Sequence, residues 1–389
     1  MKGIRAMEDE RVVDLLQSRD KIDAIDKQIV ALFEERMQIA SDVADYKLET
    51  GKKVYDKERE LQKLESLKQL ASNTFNERAV EELFTQIMSI SRKWQYQRLS
   101  SYKKELDFSP MKQLHTKENT LVAFFGEIGS YTEQAMEEFF GPKVQGISVT
   151  NFKRVMEMVN KGDVLYGVLP IENSSTGGIT DIYDLLMEYE NTIIGEHVVK
   201  VDHALMSISG SSVEQLETVY SHPQAIMQCR QFFESQSHIA LKSCESTSSA
   251  AKKVSENKDA TIGAIGSKRA AEKYGLTVLK ESINKEEKNC TRFIIITNQQ
   301  VFFEQANKVS ICFEIPHESG SLYTMLSHII YSGLNMTKIE SRPIGGRTWE
   351  YRFFIEFEGN LMDPGVKNAL NGIREEASNL RVLGNYCTI

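Results

Sequence analysis

The first hundred residues carry a hydrophobic pattern with a helical period. Between Asp9 and Glu49 there is no proline and no glycine, and the apolar or seam positions recur at alternating steps of three and four. These positions are Ile22, Ile25, Ile29, Leu32, Arg36, Ile39, Val43 and Tyr46. Gly51 supplies a stop signal, so the pattern predicts one helix of roughly 60 Å at about 1.5 Å per residue. Because this length exceeds the width of a small domain, we expect the helix to pack against a second subunit.

Two shorter helical patterns follow, at about Asp56 to Leu70 and Asn76 to Leu99. The next segment is polar and aperiodic and contains a proline, which is typical of a linker. The pattern therefore predicts an all-α domain over residues 1–100 and a linker over residues 101–119.

After residue 119, short apolar runs alternate with helical stretches, which predicts an α/β domain with largely parallel sheets over residues 120–298. The predicted strands are Leu121–Phe125, Val164–Leu169, Ile193–Val201, Ala204–Ile208, Thr218–Tyr220, Thr261–Ile265 and Arg292–Thr297. Predicted helices begin near Thr132, Phe152, Ile179, Gln224 and Ser248. We expect the last domain over residues 308–389, with a βαββαβ order that is typical of a ferredoxin-like α+β fold. Its predicted elements are Val309–Ile315, Ser321–Ser332, Asn335–Pro343, Trp349–Glu358, Pro364–Ala377 and Arg381–Tyr386.

Composition narrows the class of protein. A net charge of -8 and a pI near 5.6 argue against nucleic acid or an anionic membrane as the main partner. There is no apolar run of 18 residues and no secretory signal pattern at the N-terminus, so we expect a cytoplasmic protein. The five cysteines have no metal-binding spacing, and we expect reduced thiols and no metal site.

Cations lie at unusual places in the helical region. Arg36 falls on the apolar seam of the long helix, where an unpaired buried cation would be costly. Lys47 lies eleven residues later, about three turns, so both side chains point to nearly the same face. Further polar candidates are Arg19, Arg59, Glu60, Ser91 and Gln95. A solvated charged face is the ordinary explanation of such residues, but a pocket of several cations and one carboxylate suits a small dianion better.

Three segments of this region resemble the all-helical chorismate mutases, over residues from about 10 to 98. They read SRDKIDAIDKQIVALFEERMQIASDVADYK, VYDKERE and LFTQIMSISRKWQ. The resemblance implies an intertwined helical dimer in which the carboxylates and ether oxygen of chorismate are bound by Arg36, Lys47, Arg59 and the partner subunit's Arg19. It also implies that the hydroxyl side is held by Asp56 and Glu60, and that Ser91 and Gln95 complete the pocket, with Gln95 at the ether oxygen.

This set of residues suits the reaction that the resemblance implies. A Claisen rearrangement needs no acid, base or nucleophile. It needs a compact substrate conformer and charge opposite the breaking C–O bond. Arginines, a lysine and amides, without a histidine, meet that requirement.

Five polar turns in the α/β region together resemble the prephenate dehydratases, over residues 120–298. They contain GSYTEQA, LPIENSSTGGI, YSHPQA, ESTSSA and NCTRF. The resemblance implies two α/β lobes with a cleft between them, as in periplasmic-type binding proteins. It also implies that the cleft is lined or supported by Ser130, Glu172, Asn173, Ser174, Ser221, Gln224, Ser246, Thr247, Thr291, Arg292 and Phe293. Glu127 departs from the family pattern, which often has proline there.

The proton donor of the dehydratase is open between two residues. The reaction removes the ring carboxylate as CO2 and the hydroxyl as water, so a donor to the leaving hydroxyl is required. Thr291 is the family's candidate, although a threonine is too weak an acid to give up its proton fully. His222 has a more suitable pKa but precedes a proline in a turn, which favours a structural role, and it ranks second. We expect no cofactor.

Two segments near the C-terminus resemble the ACT domain attached to prephenate dehydratases, over residues 308–389. They are Glu318–Leu322 (ESGSL) and Ile339–Pro343 (IESRP); Ser319 replaces a frequent proline. The resemblance implies an allosteric phenylalanine site at a domain dimer interface, formed by Gly320, Ser321, Leu322, Asn335, Glu340, Ser341, Arg342 and Pro343. We expect phenylalanine to inhibit the dehydratase.

Two alternatives compete with this interpretation. A chorismate mutase fused to a prephenate dehydrogenase would need a strand–GxGxxG–helix motif, and none is present. A non-catalytic solute-binding sensor is disfavoured by TRF beside the SHPQ and ENSS segments. We therefore expect a bifunctional enzyme that converts chorismate through prephenate to phenylpyruvate. We expect it to be a homodimer or higher homo-oligomer, with no nucleic acid and no membrane partner.

Overall fold

The computed structural model describes residues 15–99, 107–286 and 288–388. Contacts divide the chain into two units. The first holds the described part of residues 1–104 together with residues 367–376, and the second holds the described remainder. Within the described ranges, no helix is both long enough and apolar enough to cross a membrane.

Three helices make up most of the first unit. They are α1 (Leu15–Thr50), α2 (Lys57–Lys68) and α3 (Thr74–Leu99). The predicted stop of α1 is confirmed, because Gly51 follows it with a φ of 67° that favours glycine. The predicted first turn, from residue 9 to residue 14, lies outside the described residues. Asp56 caps α2, and its Oδ1 accepts a hydrogen bond from the backbone N–H of Arg59 at 3.1 Å.

Little of the described part of helix α1 is buried within the chain. Small side chains, Ser41 and Ala44, are buried. The seam that the sequence predicts remains exposed: Ile22, Ile25 and Leu32 are 55%, 54% and 65% exposed. An exposed apolar stripe of this length on a helix is typical of an interface with another chain.

The second unit contains two α/β lobes. The strands of the first lobe are β2 (Thr120–Phe125), β3 (Val144–Val149), β4 (Tyr166–Asn173), β5 (Gly177–Gly178), β6 (Thr192–Lys200) and β12 (Cys290–Thr297), after a short β1 (Ser109–Met111). Its helices are α4 (Tyr131–Phe140), α5 (Phe152–Lys161) and α6 (Thr180–Glu188). The strand order is β6-β12-β4-β2-β3, and β5 pairs with β4.

The second lobe is inserted between β6 and β12 of the first. Its strands are β7 (Ala204–Ser207), β8 (Thr218–Ser221), β9 (Ala240–Ser243), β10 (Ile262–Gly266) and β11 (Thr277–Lys280), in the order β11-β7-β10-β8-β9. Its helices are α7 (Pro223–Gln228), α8 (Arg230–Glu234), α9 (Thr247–Asn257) and α10 (Lys268–Tyr274).

The prediction of largely parallel sheets is confirmed, because four of the five strands in the order of each lobe run in the same direction and one strand opposes them. Strand β12 is antiparallel to both β4 and β6, and β7 is antiparallel to both β10 and β11. The cause is the route of the chain, since it returns from the second lobe and enters the first sheet from the opposite end. Strands β3, β9 and β11 were not predicted, because they are short and largely exposed and lack a continuous apolar run.

The predicted linker is also partly structured. Strand β1 lies inside residues 101–119 and pairs in parallel with β13 (Val301–Phe303), which lies in the predicted boundary between the second and third domains. Each strand is three residues long, too short to give a detectable alternation of apolar and polar positions.

The last part of the chain has the predicted βαββαβ element order. Its elements are β14 (Lys308–Glu314), α11 (Ser321–Tyr331), β15 (Met336–Pro343), β16 (Tyr351–Glu358), α12 (Pro364–Glu376) and β17 (Ser378–Tyr386). Strand β16 begins two residues later than predicted, because Trp349 has a φ of 64° that does not suit a strand. The four strands are antiparallel neighbours in the order β15-β16-β14-β17, and β17 continues this sheet onto β6 of the first lobe.

The junction between β17 and β6 requires a glycine. A Cβ at Gly384 would lie 2.0 Å from the carbonyl oxygen of Ile193, so we expect Gly384→Ala to separate the strands and destabilise the protein by about 1–3 kcal/mol. Urea denaturation followed by circular dichroism measures this loss. Gly345→Ala is the matched control, since no atom lies within 4 Å of its added Cβ. Equal stability of the two variants would contradict the close packing at this junction.

Candidate active sites

A cavity of about 840 Å³ lies within the helical unit. Seven of the eight candidate residues of this region line it. They are Arg36 and Lys47 of α1, Asp56, Arg59 and Glu60 at the start of α2, and Ser91 and Gln95 of α3. The eighth, Arg19, is not among the lining residues of a single chain. The structure therefore brings together most of the residues that the sequence marked, although they come from three separate helices.

Hydrogen bonds fix the two cations of α1 against α3. Arg36 donates to the hydroxyl of Ser91, which itself donates to the carbonyl of Ile87 at 3.0 Å. The Nζ of Lys47 donates to Oε1 of Gln95 at 3.2 Å and to the carbonyl of Val54 at 2.7 Å. Two cations that lie eleven residues apart on α1 thus bond to two polar side chains that lie four residues apart on α3.

Electrostatics make this cavity suited to an anion. Burial lowers the pKa of Arg36 and of Lys47, and the charge of Glu60 opposes this effect at both residues. For both cations, the unfavourable effect of burial therefore exceeds the favourable effect of the nearby carboxylates. A bound dianion would supply the missing negative charge.

Sequence reasoning missed Arg92, which supports the cavity from α3. Its side chain is buried and donates to Glu60, and its Nε donates to Oε1 of Glu376 at 2.9 Å within the same unit. Burial alone would lower the pKa of Arg92, but the carboxylates of Glu376 and Glu60 outweigh it and raise the pKa. Arg92 could not be recognised from the sequence, because an arginine next to Lys93 on a helix is ordinarily solvated.

In the α/β region, the ends of β4 and β12 bring two candidates into direct contact. Asn173 pairs with Thr291 in the ladder, and Nδ2 of Asn173 donates to Oγ1 of Thr291 at 2.9 Å. The same amide donates to Oδ1 of Asn289 at 2.8 Å. Ser174 belongs to this cluster, since its Oγ accepts from the backbone N–H of Cys290 at 2.9 Å.

The turn after β4 also meets the second lobe. Nε2 of Gln224 donates to Oγ1 of Thr176 at 3.0 Å, and Nε2 of Gln228 donates to Oγ of Ser175 at 3.1 Å. The sequence identified Gln224 but not its three neighbours, although Ser175 and Thr176 belong to a motif that it marked. These contacts bring Gln224 and Gln228 of the second lobe to the turn after β4.

Other candidates have structural partners instead. Ser130 caps α4 and Ser246 caps α9, and each accepts a hydrogen bond from a backbone N–H of its helix. Thr247 is the first residue of α9. The Oγ of buried Ser221 donates to the carbonyl of Ile265 at 2.8 Å, and Phe293 lies in the apolar core. These residues therefore support the lobes, and direct contact of their side chains with a substrate stays a prediction.

Arg292 and Glu172 do not lie with Thr291 and Asn173. Successive side chains of a strand point to opposite faces, and these two charged groups pair with each other on the other face. The Nη2 of Arg292 donates to Oε2 of Glu172 at 2.9 Å, and its Nη1 donates to Oε2 of Glu196 at 2.8 Å. A substrate carboxylate would have to compete with these carboxylates for the guanidinium.

His222 has the structural role that its position before a proline indicated. It caps α7, and its Nδ1 accepts a hydrogen bond from the backbone N–H of Gln224 at 3.2 Å. Burial lowers the pKa of His222, which disfavours the protonated form that a donor needs. Both observations favour Thr291 over His222 as the group that acts on the leaving hydroxyl.

Family models match both of the regions that contain these candidate residues. The family model for chorismate mutase type II matches residues 18–96, and the model for prephenate dehydratase matches residues 122–301. A bifunctional chorismate mutase/prephenate dehydratase of Enterobacter agglomerans is 33% identical over 378 residues, which are 96% of this chain and 95% of the relative. This chain belongs to that bifunctional family. It therefore has chorismate mutase and prephenate dehydratase activity in the synthesis of phenylalanine.

Solved structures resemble the second unit of this chorismate mutase/prephenate dehydratase. Prephenate dehydratase of Arthrobacter aurescens, in complex with L-Phe, has a TM-score of 0.64 and 29% identity, and the match covers 69% of this chain and 90% of that one. GqqA, described as a novel type of quorum quenching acylases, has a TM-score of 0.64 and 27% identity over 69% of this chain and 98% of that one. Membership of the bifunctional family decides against both alternatives, the dehydrogenase fusion and the non-catalytic sensor.

The candidate phenylalanine residues of this bifunctional enzyme fall into two groups. Gly320, with a φ of 82°, and the first residues of α11, Ser321 and Leu322, follow the end of β14. Glu340 to Pro343 form the end of β15, which is antiparallel to β16 and therefore ends on the same side of the sheet as β14. Asn335 lies at the other end of α11, about 16 Å away at 1.5 Å per residue. Within one chain, seven of the eight residues therefore lie at the same end of the sheet, and Asn335 lies at the opposite end.

The contact of Arg92 with Glu60 gives a test of the mutase cavity. We expect Arg92→Met to lower kcat/KM for chorismate by at least about tenfold, because Glu60 loses the cation that orients it. Arg98→Met is the matched control on the same helix. Its ion pair with Asp45, at 2.8 Å, is about half exposed on both sides, so we expect less than a twofold change. Equal rates of the two variants, measured from the loss of chorismate, would remove Arg92 from the support of this site.

Proposed function

We propose that the mutase reaction takes place in the cavity of the helical unit and that Arg36 and Lys47 are its main cationic groups. Support comes from one observation above all others: seven residues, selected from three helices by their chemistry, line a single cavity. Arg36 and Arg59 bind the carboxylates of chorismate. Lys47 and Gln95, which are hydrogen-bonded to each other, hold the ether oxygen. Charge at this oxygen stabilises the transition state more than the ground state, because the C–O bond is breaking there.

The mutase works as a homodimer in this proposal. The apolar seam of α1 is exposed in one chain and packs against the same seam of a second chain. The partner subunit's Arg19 then reaches the cavity and supplies a further cation. We place the enzyme in the cytoplasm.

The dehydratase reaction takes place at the cleft where Thr291 and Asn173 meet. Because the amide of Asn173 donates to Oγ1 of Thr291, the hydroxyl hydrogen of Thr291 is left to be donated to the leaving hydroxyl of prephenate. The hydrogen bond from Asn173 also polarises the hydroxyl of Thr291 and so strengthens the hydrogen bond that Thr291 donates to the leaving hydroxyl. The ring carboxylate then leaves as CO2, and its bonding electrons enter the ring as the C–O bond breaks. The departing hydroxide becomes water with a proton from solvent that Thr291 relays, so Thr291 ends the reaction with its own hydroxyl hydrogen restored.

Phenylalanine is the regulatory ligand in this proposal, and the βαββαβ segment is an ACT domain that binds it. The A. aurescens dehydratase, solved with L-Phe, supports this assignment for the shared part of the chain. The site uses Gly320–Leu322 and Glu340–Pro343. Asn335 completes it from a second copy of the domain, since it lies too far from these residues within one chain. Bound phenylalanine lowers the dehydratase rate.

Incubation of the purified protein with chorismate alone tests the two activities together. We expect phenylpyruvate to form without any added cofactor. Formation of prephenate alone would leave only the mutase in place.

In the same assay, we expect Arg36→Ala to lower the mutase rate by about 100-fold or more, because a cation that stabilises the transition state is lost. The variant should dehydrate added prephenate at the normal rate, which controls for folding. A mutase rate within a few fold of the original protein would show that the cavity is wrongly assigned.

Thr291→Ala is expected to have the opposite pattern. Prephenate should accumulate from chorismate, and phenylpyruvate formation should fall by on the order of 100-fold, since the leaving hydroxyl loses its donor. Thr291→Ser keeps the hydroxyl and should retain most of the activity. Near-normal dehydration by the alanine variant would remove Thr291 from the mechanism.

A further inference from the structure

Six charged side chains form one ionic cluster in the second unit. Three carboxylates and three cations alternate along it, so its formal charges cancel. The contacts run in the order Lys308, Glu196, Arg292, Glu172 and Lys338, and Arg292 also bonds to a third carboxylate, that of Glu356. The first lobe supplies one residue each from β4, β6 and β12. The C-terminal sheet supplies one each from β14, β15 and β16.

The cluster is largely buried, and its members depend on each other. The side chains of Glu196 and Glu356 are 2% and 9% exposed, and that of Glu172 is 33% exposed. Burial would raise the pKa of Glu172, but hydrogen bonds from Lys338 and Arg292 hold it below its usual value. Removing one member of a buried ion pair leaves the charge of its partner buried and uncompensated. The resulting loss of stability is far larger than the loss that follows when an exposed ion pair is broken.

The cluster borders directly on the dehydratase site. Glu172 is the residue before Asn173, and Arg292 is the residue after Thr291. Asn173 and Thr291 face each other across the ladder, so the ion pair of Glu172 with Arg292 ties the same two strand ends together on the opposite face. The distance from Asn173 to Thr291 therefore depends on how Glu172 and Arg292 are held.

Strand β15 presents alternate residues to this junction. Lys338 donates to Oε1 of Glu172 at 2.7 Å, and Arg342 donates to Oδ2 of Asp184 at 2.6 Å. Between them, Glu340 lies beside Gly178, where an added Cβ would be 3.2 Å from its carboxylate. The intervening residues Ile339, Ser341 and Pro343 are exposed on the other face. One strand thus has the proposed ligand segment at its end and the dehydratase lobe against its inner face.

We propose that Lys338 is a positioning residue of the dehydratase, because its ammonium group holds Glu172 and through it the contact of Asn173 with Thr291. This proposal rests on the proposed phenylalanine site. A ligand that engages Glu340–Pro343 displaces β15, which moves Lys338 away from Glu172 and slows dehydration. A displacement of about 1 Å is enough, since both a charge-assisted hydrogen bond and the geometry of a reacting site are sensitive to that distance.

Lys338→Met tests the proposal, and Lys308→Met is its matched control. Both variants remove one ammonium group of the same cluster, but Lys308 bonds to Glu196, which is not adjacent to Asn173 or Thr291. We expect Lys338→Met to lower the dehydratase kcat on the order of tenfold with little change in KM, and to reduce the further inhibition by phenylalanine. Phenylalanine binding, measured by calorimetry, should persist. Lys308→Met should keep both the rate and the inhibition.

Two further measurements separate positioning from a general loss of structure. Lys338→Arg keeps the charge and should recover kcat and inhibition, whereas Lys338→Gln should behave like the methionine variant and replaces it if that one does not fold. Mutase activity of the same chains reports folding. Unchanged kcat and inhibition in Lys338→Met or Lys338→Gln would overturn the proposal, and so would equal losses in Lys308→Met.

Failure of the phenylalanine site itself has a different signature. If calorimetry detects no phenylalanine binding to the unaltered protein, the regulatory assignment is wrong, and the role of Lys338 is then decided by kcat alone.

Discussion

Strand β12 is the element on which the second unit depends. It is hydrogen-bonded on both sides, antiparallel to β4 and to β6, and it closes the first lobe after the chain returns from the second. Its first residues carry Thr291 on one face and Arg292 on the other. A slip of one residue in its register would exchange the two faces and place a guanidinium where the hydroxyl stands. The ladder hydrogen bonds on both sides of β12 fix its register and so keep Thr291 and Arg292 on opposite faces of the sheet.

In the helical unit, two cations are held in a partly dehydrated state. Arg36 and Lys47 bond to neutral groups, the hydroxyl of Ser91 and the amide of Gln95, rather than to carboxylates. Neutral partners satisfy the donors but leave the positive charge uncompensated. Carboxylates are kept nearby on α2, where Arg92 holds Glu60. The cavity therefore keeps a positive potential that suits an anion.

Much of this could be predicted from the sequence, because the signals are local. The end of α1 at Gly51, the βαββαβ order and the polar turns at strand ends all depend on residues that are close in the chain. The direction of β12 could not be predicted, since it follows from the path of about 90 residues through the second lobe. Glu172 and Arg292 were interpreted as substrate-cleft residues for a similar reason: their partners Lys338 and Glu356 lie 166 and 64 residues away. The charge of a residue does not show whether it binds a substrate or forms an ion pair within the protein.

The grouping of residues 367–376 with the helical unit has a consequence for the evolution of the enzyme. Glu376, from the second helix of the C-terminal βαββαβ segment, helps to hold Arg92, which lies against the cavity of the helical unit. A nonsense or frameshift mutation before this helix would therefore remove a support of the helical unit together with the C-terminal segment. Selection for the stability of the helical unit thus also protects the C-terminal segment against loss.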